Sequence, residues 1–160
     1  MHITMIGTGY VGLVSGTCFS EFGHDVVCVD QDAGKIEKLN NGEVPIFEPG
    51  LNALVASNVK AGRLSFTTDL ETPVKAADAV FIAVGTPTND DNTHADLSHV
   101  FAATRDIAAA LDGYTVVVNK STVPVGTGRE MEKVIGEVRS EAEFDVVSNP
   151  EFLREGSAIN

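Results

Sequence analysis

Met1-His2-Ile3-Thr4-Met5-Ile6-Gly7-Thr8-Gly9-Tyr10-Val11-Gly12 opens the chain, and its reading decides the fold. Ile3, Met5 and Ile6 suit a buried strand. The strand runs directly into G-x-G-x-x-G and then into a segment that reads as helix. Alone, the glycine pattern is weak, since glycine-rich hexapeptides also mark plain turns. Between a strand and a helix it reads as a dinucleotide-binding fingerprint. Gly7 permits the tight turn, and Gly9 lacks a Cβ, so a pyrophosphate can approach the backbone. Gly12 lets the helix pack close to the strand. The unpaired N–H groups and the positive dipole end of that helix then face the phosphates.

Val26-Val27-Cys28-Val29 reads as the second strand and ends in Asp30, 18 residues beyond Gly12. A carboxylate at that tip accepts hydrogen bonds from the ribose hydroxyls of an adenosine and repels a 2′-phosphate, which predicts NAD rather than NADP as cofactor. The competing reading is that Asp30 merely caps a helix beginning near Asp32.

Working outward, strand and helix signals alternate. Apolar strand runs fall at 3–6, 26–29, 79–84, 115–118 and 144–147, with a weaker one at 64–67. Each main run is apolar nearly throughout, as expected of parallel strands covered on both faces. Leu97, Val100, Phe101, Thr104, Ile107, Ala108 and Leu111 form the cleanest helical stripe, with Asp96 as its expected N-cap. Met131, Val134, Ile135 and Val138 form a second, and Leu51, Leu54 and Val55 a third that Pro49 opens. Such alternation predicts an α/β fold, a Rossmann-type doubly wound parallel sheet, as a single domain. Thr88–Asp96 is one long polar loop. It lacks the spacing and glycine of a calcium loop, so no metal site is expected.

The composition bounds the partners. With 11 basic and 23 acidic residues the net charge is −12, which argues against nucleic acid or an anionic membrane surface. No apolar stretch approaches the roughly 18 residues of a membrane span, and no signal-peptide pattern opens the chain. Cys18 and Cys28, placed in a helix and a strand, read as two buried reduced thiols, and a cytoplasmic setting follows.

Three more strand ends carry polar residues: Gly85-Thr86-Pro87-Thr88, Asn119-Lys120-Ser121-Thr122-Val123-Pro124, and Ser148-Asn149-Pro150-Glu151-Phe152-Leu153-Arg154-Glu155-Gly156. Ligands of doubly wound sheets bind at such carboxyl ends, so the Thr86 and Thr122 hydroxyls are expected to face a crevice, unless they cap the helices that follow. Val125-Gly126-Thr127-Gly128 lacks a third glycine and reads as a turn opening a helix. Glu151 and Glu155 would share a face if their stretch were helical. Paired there they could do acid–base work, or simply form a solvated face.

Taken together, 7–12, Asp30, 85–87, 120–122 and Asn149-Pro150-Glu151-Phe152-Leu153-Arg154-Glu155-Gly156-Ser157-Ala158-Ile159 resemble the nucleotide-sugar dehydrogenases of the UDP-glucose/GDP-mannose type, in order and along the whole chain. That family oxidises the C6 alcohol of a sugar nucleotide, UDP-glucose foremost or GDP-mannose, to the carboxylate with two NAD in succession. The resemblance implies that Gly7, Gly9, Gly12, Tyr10 and Val11 lie under the pyrophosphate, the last two through their backbone. Asp30 and Lys35 would hold the adenosine ribose, although Lys35 also fits an ordinary solvated helix lysine. Thr86 and Thr122 would line the nicotinamide side. Glu151, Phe152, Leu153, Arg154 and Glu155 would contact the sugar nucleotide. Glu155 would stand between cofactor and substrate, and with Thr122 it would position the water that hydrolyses a thioester intermediate.

The departures are as informative. The family's nucleophilic cysteine, in a G-F-G-G-S-C-type motif, and its lysine and aspartate are expected far downstream. Cys18 and Cys28 match no catalytic position. Residues 1–160 therefore read as the NAD-binding domain of a longer enzyme, inactive alone. A central helix, a C-terminal UDP-binding domain and a homodimer interface would lie outside them. A hydroxyacid or 6-phosphogluconate type of dehydrogenase, a GDP-mannose 6-dehydrogenase, and a stand-alone NAD-binding module without catalysis are the other readings.

Overall fold

The computed structural model describes residues 1–88 and 95–159. Strand and helix alternate as β1 (His2–Ile6), α1 (Tyr10–Glu21), β2 (Asp25–Val29), α2 (Ala33–Asn40), α3 (Leu51–Lys60), β3 (Leu64–Thr67), α4 (Glu71–Lys75), β4 (Ala79–Ile82), α5 (Ser98–Ala110), β5 (Thr115–Asn119), α6 (Thr127–Val138) and β6 (Phe144–Ser148). The six strands form one sheet in the order β3-β2-β1-β4-β5-β6, every pair parallel. This is the doubly wound Rossmann arrangement. Strand order reverses between β1 and β4, which opens a crevice at their carboxyl ends.

Period-2 alternation along the strands explains why both faces are covered. Ile3, Met5, Val26 and Cys28 join Leu13, Ile36, Leu51 and Val55 from α1, α2 and α3 in one apolar cluster. Ile6, Val29, Val80, Ile82 and Val117 join Val74, Val100, Ile107, Met131 and Ile135 from α4, α5 and α6 in the other. Each fully buried side chain such as Met5, Leu13 or Ile107 stabilises the fold by roughly 1.5–3 kcal/mol relative to exposure. The weak run at 64–67 is a genuine edge strand paired with β2.

Several boundaries move, each for a local reason. β4 stops at Ile82 because its neighbour β1 ends at the paired Ile6, so Ala83 and Val84 leave the sheet. Asp96 is not the N-cap of α5. Leu97 holds that position, and the Asp96 carboxylate accepts the Ser98 N–H at 2.8 Å from one residue further out. Pro49 lies two residues before α3, and Gly50, at φ +86°, makes the turn into it. Gly126, at φ +98°, does the same for α6, as the V-G-T-G turn predicts. Of the polar loop 88–96, residues 89–94 lie outside the described residues, and Thr88 pairs with Ala95 in an antiparallel bridge. Both cysteines are unpaired. Cys28 is buried, whereas Cys18, expected to be buried too, is partly exposed. Among the described residues no helix is long and apolar enough to cross a membrane.

Candidate functional site

The turn from β1 into α1 separates its three glycines by what each must avoid. At Gly7, with φ +103°, a Cβ would stand 2.5 Å from the Ala83 carbonyl oxygen. At Gly12 it would stand 2.0 Å from the Gly7 carbonyl oxygen. Both are glycines because the protein's own backbone fills the space. At Gly9 a Cβ would meet nothing within 4 Å. The fold leaves that volume open beside the N-terminus of α1, which no side chain caps. The first-turn N–H groups of a helix have no intrahelical acceptor and favour an anion. A pyrophosphate fits this cradle.

Asp30 stands at the end of β2 with its side chain 11% exposed. Its Oδ2 accepts the Thr8 N–H at 2.9 Å and the Thr8 hydroxyl at 2.7 Å, and its Oδ1 accepts the Asp32 N–H at 3.0 Å. Lys35 Nζ lies 3.7 Å from Oδ2. Burial is the largest single influence on this carboxyl and pushes its pKa up. The bonds from Asp32 and Thr8 and the Lys35 charge together outweigh it and hold the group below its ordinary value. The cap of α2 is a different residue. Asp32 Oδ1 accepts the Gly34 and Lys35 N–H groups at 2.9 and 3.1 Å. Asp30 is thereby released from the capping role and retains acceptor capacity toward a ribose.

Two clefts open on the carboxyl edge. The larger, about 560 Å³, is lined by Asp30, Gln31 and Lys35 on one side and by Leu70, His99 and Asp106 on the other. The smaller, about 230 Å³, is lined by Tyr10, Val11, Thr86, Lys120, Ser121, Thr122 and Glu151. Gly9, Ala83, Val84 and Gly85 line both. The clefts therefore meet over the crevice between β1 and β4, a shape that suits a molecule with two ends. Thr86 and Thr122 do face it, and the Thr86 hydroxyl donates to the Thr122 carbonyl at 3.1 Å.

The segment 151–159 answers the condition left open for its two glutamates. It is not helical, so Glu151 and Glu155 form no paired face. Glu151 lines the smaller cleft and accepts the Leu153 N–H at 2.7 Å. Leu153, Ala158 and Ile159 pack onto the α1–α3 cluster. Phe152, Arg154 and Glu155 are exposed and do not line the cleft. Cys28 is sealed inside the sheet, where burial pushes its thiol up to about 12. Burial also raises the Cys18 thiol, with help from Glu21 and Glu48. Neither cysteine lines either of these two clefts. Among the described residues no cluster of His, Cys, Asp and Glu could hold a metal ion.

Sequence reasoning missed Lys120, Ser121 and His99 as lining residues, and missed Glu48 altogether. The first two stand inside a stretch already singled out, at a strand end facing the crevice. The Ser121 hydroxyl donates to the Val84 carbonyl at 2.8 Å, and Lys120 Nζ donates to Asn149 Oδ1 at 3.3 Å. Glu48 carries no local signal, since its partners are distant in sequence.

Residues 1–160 match the family model described as the UDP-glucose/GDP-mannose dehydrogenase family, NAD binding domain. A UDP-glucose 6-dehydrogenase of Rhizobium meliloti is 68% identical over 159 residues, which are 99% of this chain and 36% of that protein. A crystal structure of a ternary complex of GDP-mannose dehydrogenase from Pseudomonas aeruginosa superposes with TM-score 0.95 at 40% identity, over 99% of this chain and 38% of that one. A UDP-glucose dehydrogenase from the archaeon Pyrobaculum islandicum gives TM-score 0.93 at 43% identity, over 98% and 37%. The chain spans little more than a third of the length of these relatives.

Proposed function

Since the chain belongs to the UDP-glucose/GDP-mannose dehydrogenase family as its NAD-binding domain, we propose that it serves an enzyme that oxidises the C6 alcohol of UDP-glucose to the carboxylate. The observation that carries this reading is the pair of clefts joined at Gly9 and Gly85 over the β1–β4 crevice. The larger cleft takes the adenosine end of the dinucleotide, with Asp30 and Lys35 at the ribose. The open volume at Gly9 takes the pyrophosphate, beside the Tyr10 and Val11 amides. The smaller cleft takes the nicotinamide between Thr86 and Thr122. When bound there, NAD would supply the hydride acceptor for C6, and the change from alcohol to carboxylate would take two NAD in succession.

The chain's own residues orient and exclude. Gly7 and Gly12 hold the turn, and Asp30 repels a 2′-phosphate. Glu151 presents a carboxylate to the sugar side. Phe152, Leu153, Arg154 and Glu155 supply the rest of a sugar-nucleotide wall, which the remaining portion of the protein completes. Glu155 and Thr122 hold the water of the final hydrolysis once that portion closes over them. The downstream portion brings the nucleophilic thiol, the UDP-binding domain and the dimer contacts. The unpaired Cys18 and Cys28 support a reducing, cytoplasmic setting.

GDP-mannose is the second reading, favoured by the TM-score of 0.95 against the Pseudomonas aeruginosa enzyme. NADH formation by the intact protein decides between them. Turnover with UDP-glucose and not GDP-mannose is expected. The reverse preference moves the substrate to GDP-mannose, and turnover with neither contradicts the dehydrogenase reading.

A further inference from the structure

Glu48 is 5% exposed, in the loop between α2 and α3. Its carboxylate gathers donors from two other parts of the chain. The Tyr10 hydroxyl donates to Oε2 at 2.5 Å, the Gly156 N–H to Oε2 at 2.7 Å, and the Ala158 N–H to Oε1 at 2.8 Å. Tyr10 is the first residue of α1, directly after Gly9. Gly156 and Ala158 belong to the segment whose other end, Glu151, lines the smaller cleft. The Tyr10 ring, Leu153, Ala158 and Ile159 pack on the same apolar cluster. Among the described residues no cationic side chain pairs with Glu48, so hydrogen bonds alone hold its charge. The Tyr10 bond above all, then the Ala158 and Gly156 amides, keep its carboxyl below the ordinary range against the upward push of burial.

A carboxylate with these donors is a fixed three-way joint. Hydrogen bonds to a charged acceptor are shorter and stronger than neutral ones. The 151–159 segment has no helix or strand of its own to hold it. Among the described residues it is attached to the fold by the packing of Leu153, Ala158 and Ile159 and by this joint. We propose that Glu48 is a positioning residue, whose carboxylate ties the 151–159 segment to the first turn of α1 and so sets the sugar-side wall against the cofactor turn. The placing of the cofactor across the two clefts and of the sugar against the 151–159 segment rests on the function proposed above. The joint itself does not.

The test uses the intact protein that carries this chain, with Glu48→Gln and Tyr10→Phe. A glutamine has one acceptor oxygen and turns an N–H₂ toward the remaining donors. The Tyr10→Phe change keeps the ring packing and removes one bond. In Glu48→Gln, amide hydrogen exchange at Gly156 and Ala158 should accelerate at least about tenfold, the smallest effect expected from losing a hydrogen bond to a charged group. Exchange at a core amide such as Val117 should stay unchanged. The KM for UDP-glucose should rise by a similar factor, while the KM for NAD barely moves. Tyr10→Phe should act in the same direction and more weakly, and it answers the question if Glu48→Gln fails to fold. Unchanged exchange at Gly156 and Ala158 overturns the joint. So does exchange accelerated uniformly across the sheet, with kcat lowered and both KM values unaltered, which is the mark of a merely structural residue. If the unaltered protein turns over no sugar nucleotide, the proposed function fails. The exchange comparison then still decides the role of Glu48 by itself.

Discussion

Thr8 donates both its amide N–H and its hydroxyl to one oxygen of Asp30, at 2.9 and 2.7 Å. The carboxylate at the tip of β2 is therefore also the anchor of the glycine turn that follows β1. Under the function proposed above, cofactor selection and loop shape would depend on one side chain. That coupling goes beyond both expectations for Asp30, the ribose and a helix cap.

The unaltered chain should bind NAD more tightly than NADP. Asp30→Ala should narrow that preference by removing the repulsive charge. It should also weaken NAD binding and lower stability by about 1–3 kcal/mol, as Thr8 loses its acceptor. Calorimetry with both cofactors, paired with denaturant unfolding, checks this. Equal affinities in the unaltered chain contradict the Asp30 assignment.

Gly9→Val and Gly12→Val should part company. At Gly9 a side chain meets only open space, so folding should be nearly unchanged and NAD binding lost. At Gly12 a Cβ collides with the Gly7 carbonyl, and the cost should reach roughly 3 kcal/mol, the upper end of overpacking. Thermal unfolding and NAD titration of the two variants give the comparison. A Gly9→Val protein that is destabilised yet binds NAD normally shows that this glycine serves packing.

Acid should loosen the same two anchors. Asp30 and Glu48 both titrate below their ordinary values in the folded chain. Groups of this kind contribute stability that is fully present above the unfolded carboxyl values near pH 4 and is lost as pH falls through the lowered folded values. Stability should hold at neutral pH and drop below about pH 4, and Asp30→Asn or Glu48→Gln should flatten that drop. Urea unfolding at a series of pH values measures it. An identical acid slope in the variants contradicts the linkage.

The isolated chain should bind NAD and form no NADH from UDP-glucose. A covalent second oxidation needs a thiolate near the nicotinamide. Burial pushes Cys28 up to about 12, and neither cysteine lines either of the two clefts. A Cys18→Ser, Cys28→Ser double variant should keep full NAD affinity. Turnover by the chain that disappears in that variant contradicts this account.

Much of this was legible because it is local. A strand, three spaced glycines and a carboxylate at the next strand end are all encoded within 30 residues, and alternating apolar runs announced the parallel sheet. The 151–159 segment was not. Two glutamates four apart suit a helix, but helix formation needs the amides for bonds to the residue four before. Here the Leu153 N–H goes to the Glu151 carboxylate, and the Gly156 and Ala158 N–H groups go to Glu48. Glu48 was invisible for the same reason. Its partners are 38, 108 and 110 residues away, a separation that leaves no periodicity to read.

One dinucleotide should span both clefts across Gly9. Titrating the chain with NAD while following its backbone amide resonances tests that most directly. The expected result is that Gly9, Val11 and Gly12, the Asp30–Lys35 stretch, and Thr86 and Thr122 all shift together along a single saturable curve, with NADP far weaker. Shifts confined to one cleft, or two curves saturating independently, contradict it.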